Sequence, residues 1–161
     1  DMFTYKKNTN HEFDKVNKDN LKNHIVLIGY GRLGKNISKI IQGKGLEFIA
    51  IEDDIQTVKN AQKENLPVIF GNASQKSILE SVNIQDASSV IISVDNSKKL
   101  THICEVVNEL TENTKIIVKV NKLEDKELLS NLHLSHIVVE ADKTALAMYE
   151  EAMKCQTKSN D

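Results

Sequence analysis

A chain of 161 residues, 40% hydrophobic and 27% charged, has the size and composition of one ordinary globular domain able to bury a proper core. Its formal net charge of −2 supplies no overall basic field, which argues against nucleic acid or an anionic membrane surface as the partner. No apolar run approaches the ~20 residues of a membrane span, residues 1–23 lack the apolar core of a signal peptide, and Cys104 and Cys155, far apart, read as reduced thiols.

Residues 1–23 mix Lys, Asn, Asp and Thr around scattered Met2, Phe3, Tyr5, Phe13 and Val16, and are expected to form a leader or linker with a short helix near Glu12–Leu21. The chain opens on Asp1 and not on methionine, as expected of a piece of a larger polypeptide. From His24 onward the pattern alternates. Strands are predicted over 24–29, 47–52, 67–71, 89–95, 115–120 and 136–140, with β-branched centres such as Val90-Ile91-Ile92 and Ile116-Ile117-Val118 that suit a parallel sheet buried on both faces. Helices are predicted over 32–44, 55–65, 75–82, 97–111, 123–132 and 143–154. Leu33, Ile37, Ile40 and Ile41 share a face of the first, and Leu100, Ile103, Cys104 and Val107 share a face of the fourth. Ser74 and either Asp95 or Asn96 are the expected N-caps, and Gly43 or Gly45 ends the first helix. The fold class that follows is α/β: a Rossmann-like, doubly wound, six-stranded parallel sheet ordered 3-2-1-4-5-6, occupying residues 24–154 and followed by a tail over 155–161.

The first strand runs straight into Gly29-Tyr30-Gly31-Arg32-Leu33-Gly34. At that spacing Gly29 allows a sharp exit from the strand, Gly31 admits a pyrophosphate to the backbone, and Gly34 lets the helix pack close to the sheet. The whole turn, Tyr30 and Leu33 included, is the candidate phosphate cradle at a helix N-terminus. Arg32, a cation where the helix dipole disfavours one, is a candidate phosphate ligand. Glu52 ends the second strand and is placed to accept from ribose hydroxyls; Asp53 and Asp54 beside it deepen the repulsion of a 2′-phosphate, so NAD(H) is favoured over NADP. An acidic turn capping the helix at 55–65 is the plainer alternative for that cluster. Asn72 and Ala73 after strand three, and Val94 and Asp95 after strand four, open on the same edge of the sheet and complete the candidate cofactor-binding set.

No catalytic residue is assigned. The six-stranded unit uses up residues 24–154 and leaves no substrate domain; Tyr149 is followed by Glu-Glu-Ala-Met and not by the Tyr-x-x-x-Lys of a reductase. Binding without turnover is the favoured reading, and a small NAD-dependent oxidoreductase domain lacking its substrate domain is the alternative. His133-x-x-His136 lacks the Cys or carboxylate partners of a zinc site, so no metal is assigned. The helices at 97–111 and 123–132, the latter with Leu128, Leu129 and Leu132, are expected to form a homodimer interface, with the last helix (Ala145, Leu146, Met148, Tyr149, Ala152 and Met153) docking across the partner; a folded-back leader covering that face through Phe3, Tyr5 and Phe13 is the alternative.

The motifs His24 to Gly34, Ile51-Glu52-Asp53-Asp54, Phe70-Gly71-Asn72-Ala73-Ser74, Ile78-Leu79-Glu80, Ala87 to Ile92 and Val139-Glu140 together resemble the regulatory K⁺-conductance domain, also called the KTN or TrkA-N domain, of prokaryotic potassium channels and transporters. The resemblance covers roughly residues 24–154. It implies a cytoplasmic module of a bacterial inner-membrane protein that binds NAD(H), AMP, ADP or ATP and gates K⁺ flux through a channel or transporter, in the same parent chain, as a dimer or a larger gating ring. It also implies that Gly29, Gly31, Arg32 and Gly34 hold phosphates and that Glu52 holds ribose. The sequence departs from the family pattern at Asn72, where an aspartate is common. It departs again at Lys119, where Kef-type domains tend to carry arginine, and at Glu64-Asn65-Leu66, where they carry an aromatic.

Overall fold

The structure, a computed structural model, describes residues 21–158, with side chains described through Gln156. The predicted leader and its short helix lie outside that range except for Leu21 to Asn23. In chain order the elements are β1 (Ile25–Ile28), α1 (Arg32–Gly43), β2 (Phe48–Glu52), α2 (Ile55–Lys63), β3 (Val68–Phe70) and α3 (Lys76–Ser81), then β4 (Ser89–Ile92), α4 (Ser97–Leu110), β5 (Lys115–Val120), β6 (His136–Val139) and α5 (Glu140–Lys158). Two 3-10 segments, Ile84–Asp86 and Leu123–Leu129, serve as connectors.

The sheet order is β3-β2-β1-β4-β5-β6 and every pairing is parallel, as the alternating pattern predicts. Val26 stands opposite Ile49 on one side and Val90 on the other, so the centre of the sheet is a layer of branched side chains. Successive residues then divide between two cores. Val26, Ile28, Ile49, Ile51, Val90 and Ile92 face α3 and α4, where Leu79, Leu100, Ile103, Cys104 and Val107 meet them. Leu27, Phe48, Ala50 and Val68 face the other way, against Ile41, Val58 and Ala61 of α1 and α2. The strand order reverses its direction between β1 and β4, which places the switch point, and with it a crevice, at the carboxyl ends of those two strands.

Several expectations need correction. The buried side of α1 is Gly34, Ser38 and Ile41, while Ile40 is 65% exposed and Leu33 39%. The first turn of the helix lies against the glycine turn, where a Cβ on Gly34 would collide with the Gly29 carbonyl oxygen, and only further along does a large side chain, Ile41, enter the core. The predicted helix 123–132 is instead the 3-10 stretch Leu123–Leu129, closed by bonds such as Asp125 N–H to Lys122 O (3.1 Å) and Ser130 N–H to Glu127 O (3.2 Å). Only Leu129 in it is buried, so no apolar stripe holds a longer α-helix against the sheet. Strand β4 stops at Ile92, leaving residues 93–96 as loop. The last helix is longer than predicted and starts directly after β6 with no intervening residue.

Candidate functional site

Gly29 has φ +98°, and a Cβ there would lie 2.9 Å from the Ser93 carbonyl oxygen, so both backbone and packing require glycine. Gly31 differs. Its φ of −73° suits any residue, and a Cβ would meet no atom within 4 Å. The fold itself makes no demand for glycine at 31; the open space above it is what a phosphate approaching the N-terminus of α1 requires. Among the described residues no side chain caps that helix, and its first N–H groups have no such partner there.

The acid cluster divides into three separate jobs. Glu52 Oε1 accepts the Tyr30 N–H at 2.9 Å and Oε2 accepts the Asp54 N–H at 2.8 Å. Two backbone donors thus fix the carboxylate at the mouth of the glycine turn, and each oxygen keeps further acceptor capacity for a hydroxyl. Asp53 pairs with Lys99 Nζ of α4 at 3.2 Å across the cleft, both side chains being more than half exposed. Asp54 caps α2, accepting from the Thr57 hydroxyl (2.6 Å) and the Thr57 N–H (2.9 Å). Those two bonds, the hydroxyl's first, hold its carboxyl below the usual carboxylate range. The capping alternative therefore holds for Asp54 and not for Glu52.

These groups border a cavity of about 520 Å³ at the carboxyl edge of the sheet, within the range of small-molecule sites. Of the predicted residues, Gly29, Gly31, Glu52, Asp53, Asn72, Ala73, Val94 and Asp95 line it. Arg32, Leu33 and Gly34 line a smaller cavity of about 350 Å³ that shares Gly31, Ser93 and Asp95 with the first. Tyr30 lines neither. Its ring is buried against the α1–α2 side of the sheet, where its hydroxyl donates to Ser38 Oγ (3.0 Å) and Ser38 in turn donates to Lys35 O (2.7 Å). Only its backbone serves the cleft, by holding Glu52.

Asn72 Oδ1 accepts from both the N–H and the hydroxyl of Ser74 (2.9 and 2.7 Å), so an amide oxygen closes the turn after β3 without a charge. Ser74 is consequently spent in that turn, and α3 starts from Gln75 with no side-chain cap, against expectation. Asn96 does cap α4, accepting from Lys98 and Lys99 N–H at 3.1 Å each. That capped start carries Lys99, His102 and Ile103 to the cavity wall, three residues the sequence reading missed. Their i, i+3, i+4 spacing after a switch-point strand was the available signal.

Beyond the glycine turn, Lys119 projects from β5 with its side chain only 11% exposed. Its ammonium donates to Asp95 Oδ1 (2.7 Å) and Asn121 Oδ1 (3.0 Å) and lies 3.7 Å from Glu140 Oε2. His133 and His136 stay apart from this chemistry; the former is clasped by Asn108, whose amide donates to His133 O at 2.9 Å. Among the described residues no group of three or more His, Cys, Asp and Glu gathers as a metal site would require, and no helix is long and apolar enough to cross a membrane.

Comparison with known proteins identifies the family and the fold. A family model described as the TrkA-N domain matches residues 25–140. Potassium channel protein 1 of Methanocaldococcus jannaschii is 31% identical over 111 residues, covering 68% of this chain and 33% of that protein. The K⁺ efflux antiporter KefB of Alkalimonas amylolytica is 28% identical over 81 residues, covering 50% of this chain and 12% of that protein. The chain thus spans a third or less of either relative's length. Among solved structures, the TrkA-N domain of the Escherichia coli inner membrane protein ybaL superposes with a TM-score of 0.75 at 19% identity, covering 81% of this chain and 97% of that one. The GsuK channel bound to NAD gives 0.68 at 20% identity (74% and 22% covered), and the Shewanella denitrificans Kef C-terminal domain in its AMP-bound form gives 0.67 at 20% (83% and 81%). At those identities they share the fold.

Proposed function

The chain belongs to the TrkA-N domain family, and from that premise we propose that it is a non-catalytic, cytoplasmic regulatory domain which binds an adenine nucleotide and gates K⁺ movement through a membrane channel or transporter. The observation that carries the reading is Glu52, whose carboxylate is oriented by two backbone N–H groups beside a glycine that nothing in the fold requires. A fixed acceptor next to an uncapped helix N-terminus is the arrangement a ribose-phosphate unit needs. Relatives with this fold carry NAD in one structure and AMP in another, and the sequence relatives are a potassium channel and a K⁺ antiporter.

NAD(H) is the favoured ligand, with AMP, ADP or ATP as the other members of the class. Glu52 → Ala weakens nucleotides that have a free ribose 2′-hydroxyl by about 1.5–3 kcal/mol, the worth of a charged hydrogen bond. Calorimetry with NADH, NADPH, ATP, ADP and AMP tests the assignment. NADPH binding as tightly as NADH would rule out Glu52 as the ribose acceptor, and five silent titrations would rule out the nucleotide reading altogether.

A second copy of the chain is the proposed partner of α5. Along that helix Ala145, Met148, Tyr149 and Ala152 recur at i, i+3, i+4 and i+7, an apolar stripe that asks for burial. Every described side chain of α5 except the half-buried Met153 is exposed, with Met148 at 70% and Tyr149 at 60%. Leu123 and Leu128 on the 3-10 stretch are similarly exposed and offer the opposing surface. A two-fold pairing that uses both patches gives the nucleotide an interface to bias.

A further inference from the structure

Resting on the nucleotide reading above, we propose that Lys119 couples the cleft to α5: a ligand phosphate in the smaller cavity draws the Lys119 ammonium away from Glu140 and frees the foot of that helix. Lys119 joins three separate segments. Asp95 belongs to the loop after β4 and lines both cavities, Asn121 follows β5, and Glu140 is the first residue of α5. Beside the Glu140 contact, the foot of α5 is held by a long 3.4 Å bond from Ala141 N–H to Asn121 O.

The two carboxylate arms of Lys119 are unequal. The Asp95 arm, at 2.7 Å, is a charge-assisted hydrogen bond, whereas the Glu140 arm, at 3.7 Å, lies beyond hydrogen-bond length. When a third anion competes, the long arm yields first. The smaller cavity is where that anion arrives, because it opens from Gly31 past Arg32 to Lys119 and Glu140. A phosphate there meets the cations of Arg32 and Lys119 and is repelled by both Asp95 and Glu140; Asp95 keeps its short bond, so ligand and Glu140 compete for the same ammonium. By linkage, weakening the Glu140 contact must favour the ligand by as much as the ligand weakens the contact.

The chain supplies its own reporter, since Cys155 is exposed on α5 while Cys104 is buried in α4. Burial pushes the Cys104 thiol up to about 12, so a thiol-directed fluorophore at neutral pH goes to Cys155. The experiment follows ADP binding to the full 161-residue chain by calorimetry and by anisotropy at Cys155, in the native sequence, Glu140 → Gln and Lys119 → Met. In the native chain, ADP shifts the anisotropy. Glu140 → Gln, before any ligand, already shows the ADP-saturated value, binds ADP about fivefold tighter or more, as ordinary couplings go, and responds no further. Lys119 → Met binds ADP more weakly and leaves the reporter silent. Tighter binding by Glu140 → Gln with a native ligand-free anisotropy would be simple charge removal and would overturn the coupling, as would unchanged affinity. A native chain that binds ADP while the reporter stays silent sinks the coupling alone; one that binds no nucleotide sinks the parent reading and the coupling with it.

Discussion

Gly31 and Gly34, three positions apart, answer to different forces, and substitution separates them. A methyl group on Gly34 collides with the Gly29 carbonyl at 2.2 Å, so Gly34 → Ala must push α1 off the sheet and is expected to cost about 1–3 kcal/mol of stability. A methyl group on Gly31 meets nothing, so Gly31 → Ala is expected to cost under about 1 kcal/mol, the scale of a cap change, while obstructing a phosphate. Thermal melts paired with nucleotide titrations check both halves; equal destabilisation by the two substitutions would contradict the distinction. Spacing alone announced both glycines, and it singled out Glu52 at the end of the second strand, beside the glycine turn. Spacing could not say that Tyr30 turns its ring into the core or that Asp54 leaves the cluster to cap a helix, because each depends on which donor lies nearest in space. The pairing of Lys99 with Asp53 was hidden for the same reason, since the two lie 46 residues apart in the chain.

At the level of the element, α2 depends on a cap that titrates. Hydrogen bonds from Thr57 lower the Asp54 pKa in the folded chain, so its contribution is fully present above the ordinary aspartate value and is lost as pH falls through the lowered one. Melting temperatures of the native chain and Asp54 → Ala are therefore expected to differ most at neutral pH and to converge in acid. The gap between Asp54 → Asn, which caps without titrating, and Asp54 → Ala is expected to stay level over the same range. A native-to-alanine gap that does not change with pH would show that the ionised carboxylate is not what caps the helix. Long periodic elements such as α4 were legible to within a residue or so, since five buried side chains mark its inner face. The 3-10 stretch was not, because Leu128, Leu129 and Leu132 imitate a helical stripe of which only Leu129 is fully buried.

For the molecule as a whole, the sheet order followed from the strand–helix alternation and the handedness of crossovers, which leave few other topologies. What covers α5 could not follow, since a stripe says that burial is required and not by what. Sedimentation of the 161-residue chain at tens of micromolar is expected to show a dimer, and Met148 → Glu with Tyr149 → Glu, both at exposed positions, to return it to monomer without unfolding. A monomer that persists at that concentration would contradict the pairing. If deleting residues 1–22 instead creates the dimer, the leader is the natural cover of that stripe. The direct junction of Val139 to Glu140 has one more consequence, a mechanical one. With no loop to absorb rotation, 19 helical residues make a rigid arm about 28 Å long hinged at the sheet. A tilt of about 10° at its base would carry its far end through about 5 Å, close to one helical pitch, so any tilt that follows the proposed release of Glu140 would be read out as a displacement far larger at the tip than at the base.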